Sequence, residues 1–364
     1  MTVVFAGGGT GGHLYPAIAI ADALRGRSNR ITFIGTSDRL ETTIVPKAGY
    51  ELRTITGRAL QRAITPQLVR TIVDNLKGTI QSLRLLASAR PQLVIATGGY
   101  VCFPVALAAR IRRFLRLSNA PIVLLEPNAE PGLTNRLLAP IVDEVWGPAL
   151  QPDRRFAHKY RPTGVPIRAA LRDLPARDAA IARLGLDPSL RTLVAMGGSQ
   201  GARAINDALV DLVTRDELPP GWQLLALTGA ADYERVRAVL PHALPYLDDM
   251  AEAYAAADLV LARAGASTLA ELAAIGKASI LVPYPHAAQG HQDANAARFA
   301  GAGAAVLLND RELQAGGLSA LLTKTVDPPR LHALSQAAAR LGTGDPVSAI
   351  VARVDALLSR RSKQ

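Results

Sequence analysis

Two stretches of this chain repeat one another. Thr2-Val-Val-Phe-Ala-Gly-Gly-Gly-Thr-Gly-Gly12 and Thr192-Leu-Val-Ala-Met-Gly-Gly-Ser-Gln-Gly-Ala202 align at a constant offset of 190 residues. Each reads as a strand, a glycine-rich turn and the start of a helix. Two halves that open alike predict an α/β fold of two Rossmann-like domains, with parallel sheets facing each other across a cleft. Elsewhere, short β-branched runs alternate with alanine-rich amphipathic stretches, the pattern of βα units. Strands are expected at Val3–Ala6, Ile31–Ile34, Leu93–Ala96 and Ile122–Leu125, then at Thr192–Met196, Leu224–Leu227, Leu259–Leu261 and Ile280–Val282. Between Pro148 and Pro188 the chain carries Pro152, Pro162, Pro166 and Pro175, which suggests a crossing segment between domains. The expected domains are residues 1–160 and 161–345, with a helix over 346–364 packing back on the first.

A length of 364 residues suits two such domains. Hydrophobic residues make up 49% of the chain but aromatics only 4%, so the cores must be built from Ala, Leu, Val and Ile. The single cysteine, Cys102, excludes an internal disulfide and suits a reducing compartment. No leader segment is evident, and charges interrupt every apolar run before the ~18–20 residues a membrane span needs. A soluble or peripheral protein is expected.

A glycine-rich turn feeding a helix presents backbone N–H groups and the positive end of a helix dipole, where phosphate binds without a lysine. Gly7, Gly8, Gly11 and Gly12 would admit a ligand to the first loop, and Gly197, Gly198 and Gly201, with the hydroxyl of Ser199, to the second. A P-loop is excluded, because neither turn ends in Gly-Lys-Ser/Thr. A nicotinamide site is poorly supported, since Gly35-Thr-Ser-Asp38 follows the second strand without an acid closing it. His13 follows the first loop directly. A helix N-terminus disfavours the imidazolium, so His13 is either a candidate general base or a simple helix cap.

Other polar groups fall beyond strand carboxyl ends, where open α/β sheets bind ligands. They are Gly98-Gly-Tyr100, Glu126-Pro-Asn128, Ala264 through Glu271, and Pro283 through Gln292. Glu271 suits two hydrogen bonds to a ribose, or else a solvated helix face. No Asp-x-Asp pair occurs, and His286 and His291 lack a third ligand at metal spacing, so neither metal nor cofactor is expected. A leaving diphosphate would then rest on backbone N–H groups, a helix dipole and Arg168.

The net charge of +11 is uneven. Residues 1–148 hold 17 Lys and Arg against 9 Asp and Glu, a net +8, which points to an anionic partner for the first domain. Between Arg58 and Arg90, Leu68, Ile72, Leu76, Ile80 and Leu83 recur at helical spacing among basic residues. Over Val101–Leu117, Phe103, Leu107, Ile111, Phe114 and Leu115 accompany four arginines. Both stretches suit helices lying on an anionic membrane surface. Nucleic acid is disfavoured, because these stretches carry almost no aromatics for stacking.

Taken in order, Gly7 through His13, Gly98-Gly-Tyr100, Gly132-Leu-Thr-Asn-Arg136, Gly197 through Arg203, Asp248-Asp-Met250, Gly265 through Glu271, and His291-Gln292 with Asn295 resemble the MurG family, within glycosyltransferase family 28. The resemblance covers nearly the whole chain. It implies the GT-B architecture and inverting, metal-independent transfer of GlcNAc from UDP-GlcNAc to the muramyl C4 hydroxyl of undecaprenyl-pyrophosphoryl-muramyl-pentapeptide. That step converts lipid I to lipid II in peptidoglycan synthesis, at the cytoplasmic face of the membrane. On this resemblance His13 is the base, and Thr10, Gly11, Gly12, Tyr100, Glu126 and Asn128 meet the acceptor. Arg168, Gly198, Ser199, Gln200, Leu247, Ser267, Thr268, Glu271, His291 and Gln292 meet the donor. Three places depart from the family pattern: Leu125-Glu-Pro-Asn128, where His-Glu-Gln-Asn is frequent; Val165-Pro-Ile-Arg168, where Asn-Pro is usual; and Ala264, where serine is common. The alternatives are a transferase with another acceptor, a UDP-GlcNAc epimerase, and a non-catalytic nucleotide-sugar or lipid-binding module.

Overall fold

The computed structural model describes residues 1–27, 30–59, 66–148, 156, 158–198, 200–287, 290–342 and 344–359. The chain divides into two compact units, Met1–Arg168 with Gly344–Gln364, and Ala169–Thr343.

In the first unit the elements run β1 (Thr2–Gly7), α1 (Gly11–Leu24), β2 (Arg30–Gly35), α2 (Glu41–Lys47), β3 (Glu51–Thr54), α3 (Pro66–Ala89), β4 (Leu93–Gly98), α4 (Cys102–Phe114), β5 (Ile122–Leu125), α5 (Leu133–Leu138), β6 (Glu144–Gly147) and β7 (Tyr160–Pro162). The strands form one parallel sheet in the order β3-β2-β1-β4-β5-β6-β7. Helices cover both faces, so β1, β4 and β5 read as unbroken apolar runs. One core joins Val4, Ala6, Val94, Ala96, Ile122 and Leu124 to α4. The other joins Val3, Phe5, Phe33, Ile95 and Trp146 to α1. Phe5 and Phe33 stack with ring centroids 5.0 Å apart.

The second unit contains α6 (Arg177–Leu184), β8 (Arg191–Met196), α7 (Arg203–Thr214), β9 (Trp222–Leu227), α8 (Tyr233–Arg237), β10 (Ala243–Leu244), α9 (Met250–Ala256), β11 (Leu259–Ala262), α10 (Ala266–Ile275), β12 (Ser279–Leu281), α11 (His291–Gly301), β13 (Val306–Leu307), α12 (Asp310–Gln314), α13 (Gly317–Thr325) and α14 (Pro328–Leu341). Its parallel sheet has the order β10-β9-β8-β11-β12-β13. The two sheets thus share one winding, with the order reversing beside β1 in one and beside β8 in the other. Those reversal points, at the strand carboxyl ends, are where doubly wound sheets bind ligands. Each falls beside a glycine-rich turn.

The last helix, α15 (Pro346–Ser359), belongs to the first unit. It buries Ile350 and Val354 beside Leu14 and Ile20 of α1. Arg353 adds an ion pair to Glu144, a nearly buried carboxylate that also accepts from the Trp146 indole at 2.8 Å.

The proline-rich stretch after Pro148 is more than a connection. It adds β7 to the first sheet, where Pro162 is tolerated because the strand lies at an edge, and α6 to the second unit. Among the described residues no helix is long and apolar enough to cross a membrane.

Candidate functional site

The first glycine turn leaves β1 through a register shift between Ala6 and Gly7, and a side chain at Gly7 would overlap the Thr97 hydroxyl. A Cβ at Gly99 would sit 2.6 Å from the Gly8 carbonyl. The β1 and β4 turns are therefore packed backbone against backbone. Thr10 adopts the extended N-cap conformation of α1, and its side chain makes no cap hydrogen bond.

His13 lies in the first turn of α1, half-buried, with Nδ1 3.1 Å from the Thr97 carbonyl oxygen. A carbonyl only accepts, so Nδ1 carries a proton, and in the neutral form of the ring the lone pair falls on Nε2. Gly98, at φ +116°, makes this possible, because a Cβ there would overlap the imidazole.

Below the ring the Cys102 thiol accepts from the Gly98 N–H at 3.2 Å and lies 3.1 Å from the Ala6 carbonyl. Burial pushes this thiol up to about 12. Tyr100 is half-buried and would lie 3.7 Å from a Cβ on Gly9. It also walls a cavity of about 620 Å³ lined by Thr36, Arg39, Thr56, Arg58, Arg70 and Asp74, among others.

Glu126 follows β5 and is only 2% exposed. One oxygen accepts from the N–H and side-chain amide of Asn128, both at 3.0 Å. The other accepts from Gly132 N at 3.1 Å and Asn135 Nδ2 at 2.7 Å. Burial pushes the carboxyl above its ordinary range, while these four donors oppose the rise. Glu126 thus organises the loop that carries Asn128.

Arg168 ends the first unit's main segment, its guanidinium 4.7 Å above the Tyr15 ring of α1.

The second glycine turn has the same build. Gly198 and Gly201 take φ +90° and +77°, and a Cβ on Gly197 would overlap the backbone of Ala202. Gln200 is exposed, and Ser199 lies outside the described residues. Asn206 of α7 fastens the adjoining β9 turn through Thr228 O at 3.0 Å and Asp232 Oδ2 at 2.8 Å.

Leu247, half-buried, precedes Asp249, which caps α9 by accepting from Ala251 N at 2.9 Å. Ser267 and Thr268 stand in the first turn of α10. Glu271, one turn on, is 5% exposed, which excludes a solvated helix face, and it accepts 2.8 Å from the Tyr254 hydroxyl. His291 begins α11, and Gln292 accepts from Tyr284 N at 2.9 Å. Asn295 reaches the Ala264 carbonyl at 3.3 Å.

Three contributors escaped the sequence reading. The Thr97 carbonyl has no side-chain signature. Tyr254 lies in an alanine-rich helix with nothing to mark it. Glu41, fully buried under the first loop, carried one faint signal, an acid in the first turn of the helix after β2.

Two parallel sheets of this winding, each with a glycine turn feeding a helix at its reversal point, make up the GT-B architecture. Residues 3–146 match the glycosyltransferase family 28 N-terminal domain, and residues 192–347 match its C-terminal domain. The chain belongs to glycosyltransferase family 28.

A relative from Halothermothrix orenii is 38% identical over 94% of this chain and 95% of its own. One from Chlorobaculum tepidum is 39% identical over 98% and 99%. Both are named UDP-N-acetylglucosamine–N-acetylmuramyl-(pentapeptide) pyrophosphoryl-undecaprenol N-acetylglucosamine transferase. The crystal structure of Acinetobacter baumannii MurG superposes with a TM-score of 0.74 at 26% identity, covering 97% of this chain and 99% of that one. A UDP-GlcNAc 2-epimerase from Neisseria meningitidis shares the fold, with a TM-score of 0.61 at 12% identity over 97% and 99%.

Proposed function

We propose that this enzyme transfers GlcNAc from UDP-GlcNAc to the C4 hydroxyl of the muramyl sugar of undecaprenyl-pyrophosphoryl-muramyl-pentapeptide, with inversion at the anomeric carbon. The observation that carries the chemistry is the placing of His13, whose Nδ1 faces the Thr97 carbonyl, so that Nε2 is the nitrogen that takes up a proton when the ring is neutral. Nε2 takes the hydroxyl proton as the oxygen attacks C1 of the donor sugar, and UDP departs from the opposite face. Thr10, Gly11 and Gly12, at the N-terminus of α1, meet the acceptor diphosphate. Tyr100 and Asn128 flank it, and Glu126 acts by holding the Asn128 loop rather than by contact.

On the donor side, Gly198, Ser199 and Gln200 receive the UDP phosphates at the head of α7, with Ser267, Thr268 and Arg168 contributing. Charge building on the leaving phosphate is met by backbone N–H groups, the helix dipole and this arginine. Glu271, oriented by Tyr254, accepts from the ribose hydroxyls. The Leu247 backbone reads uracil, and His291 and Gln292 meet the GlcNAc.

The lipid acceptor calls for a membrane surface. Val69, Ile72, Val73, Leu76 and Ile80 form one exposed apolar face of α3, and Phe114, 83% exposed, leads Leu115 and Leu117 at the end of α4. Arg70, Lys77, Arg112 and Arg116 accompany them. This supports peripheral attachment to an anionic leaflet. The face differs from the expected one at its margins, since Leu83 and Phe103 turn toward the core.

The epimerase reading shares only the fold, whereas the relatives at 36–39% identity are transferases.

Radiolabelled UDP-GlcNAc and a lipid diphosphate acceptor test the proposal. Wild type should transfer label to lipid, and His13→Ala should lose roughly 10³-fold in turnover while binding UDP normally. Normal turnover by that variant removes His13 as base, and donor epimerisation without transfer removes the reaction.

A further inference from the structure

Glu41, the first residue of α2, is 0% exposed and lies directly beneath the first glycine turn. Its Oε2 accepts from the Gly9 N–H at 2.9 Å. Its Oε1 accepts from the Thr36 N–H at 2.9 Å and from the Thr36 hydroxyl at 2.8 Å. With its proton committed to the carboxylate, Thr36 Oγ1 is left to accept from the Tyr100 hydroxyl, 3.4 Å away. A Cβ on Gly8 would overlap the carboxylate, and one on Gly35 would come within 2.7 Å of the Glu41 side chain. Two glycines therefore clear the space the carboxylate fills.

No lysine or arginine among the described residues pairs with Glu41. A buried carboxylate is tolerated without a cation only when hydrogen-bond donors surround it. Placing one under a diphosphate-binding turn also opposes anion binding by Coulomb repulsion. The carboxylate must offset that penalty through what it fixes.

In doubly wound dinucleotide folds the acid beyond the second strand reaches out to a ribose. Here the acid beyond β2 turns inward and takes a loop N–H for itself. The Gly9 N–H is thereby withheld from ligand, so anion binding falls to the head of α1, the helix that also carries His13.

We propose that Glu41 is a positioning residue for the acceptor. Through Gly9 it sets the glycine turn, and through Thr36 it sets Tyr100, so that the acceptor diphosphate meets the head of α1 in register with His13. This rests on the reading that the first unit binds a lipid diphosphate.

The full-length chain with Glu41→Gln, which keeps the shape but places an amide against donors, and with Thr36→Val, which deletes the hydroxyl joining Glu41 to Tyr100 but keeps the Gly9 and Thr36 N–H bonds to the carboxylate, provides the test. Glu41→Gln should raise the KM for a lipid diphosphate acceptor roughly tenfold or more, leaving UDP affinity and donor KM unchanged. Thr36→Val should raise the acceptor KM by a smaller factor. An unchanged acceptor KM, or an equal rise in donor KM, overturns the assignment.

Amide hydrogen exchange gives a readout independent of substrate. The Gly9 amide should exchange faster in Glu41→Gln while those of β1 keep their protection. An unchanged Gly9 rate sinks the idea even where transfer is impaired. Faster Gly9 exchange in a protein that ignores the lipid acceptor would instead locate the failure in the substrate reading. Should Glu41→Gln not fold, Thr36→Val decides: an acceptor KM at the wild-type value rejects the proposal.

Discussion

At the scale of single residues, the site depends on atoms that a sequence displays poorly. His13 was legible because it follows a glycine turn at a helix start, yet the atom that orients it is a backbone carbonyl that any residue at position 97 would supply. Glu271 was legible as a polar residue beyond β11, but its burial and its Tyr254 partner follow from packing alone. Gly98→Ala should cost roughly 10²-fold in turnover, since the added methyl pushes the imidazole aside at a φ that disfavours alanine. Donor affinity should stay near wild type, which calorimetric UDP titration will check. Tyr254→Phe removes a donor from the buried Glu271 carboxylate and should weaken UDP about tenfold, as expected for about 1–3 kcal/mol. Cys102, with its thiol pushed up to about 12, should resist alkylation near neutral pH in the folded protein and react only on unfolding. Mass spectrometry across a urea series would show whether labelling tracks loss of the first unit's fold.

Among elements, all eight expected strands exist because central parallel strands, covered on both faces, must be continuously apolar. Four of the five that were missed, β3, β7, β10 and β13, are edge strands, where that demand lapses, and the fifth, β6, is interrupted by a charged residue. β3 is Glu-Leu-Arg-Thr with its last two residues exposed, β6 opens on the buried Glu144, and β7 contains a proline. β10 and β13 are two residues long, too short to show any period. The apolar face of α3 was foreseen in kind but rotated, because helical spacing alone does not say which flank meets α4. Ile72→Asp with Leu76→Asp should release the protein from anionic vesicles, since each buried aliphatic side chain is worth about 1.5–3 kcal/mol. Co-sedimentation measures this, and vesicle binding at the wild-type level would place membrane contact elsewhere.

For the molecule as a whole, the matching sheets were readable from the repeat, but the return of the last helix to the first unit depends on long-range pairing. Arg353→Met leaves the buried Glu144 without its α15 cation but with Arg161 3.5 Å away, and should lower the first unit's stability by about 1–3 kcal/mol in urea unfolding. The second unit carries an acid-sensitive element of its own. Arg235 holds Asp232 at about 2, below its ordinary 3.8, so the stabilisation is complete above pH 3.8 and is lost as pH falls through 2. Asp232→Asn should therefore flatten the fall in stability between pH 4 and 2, and an unchanged slope would show that other groups govern acid unfolding. The sequence of the second unit is inserted within that of the first, which resumes at Gly344. During synthesis, at roughly 5–20 residues per second, the nascent first unit must wait on the order of ten to thirty-five seconds for the segment that seals its core. Throughout that interval the α1 surface destined for Ile350 and Val354 stands uncovered, a site for chaperones, while the uninterrupted second unit is free to close first.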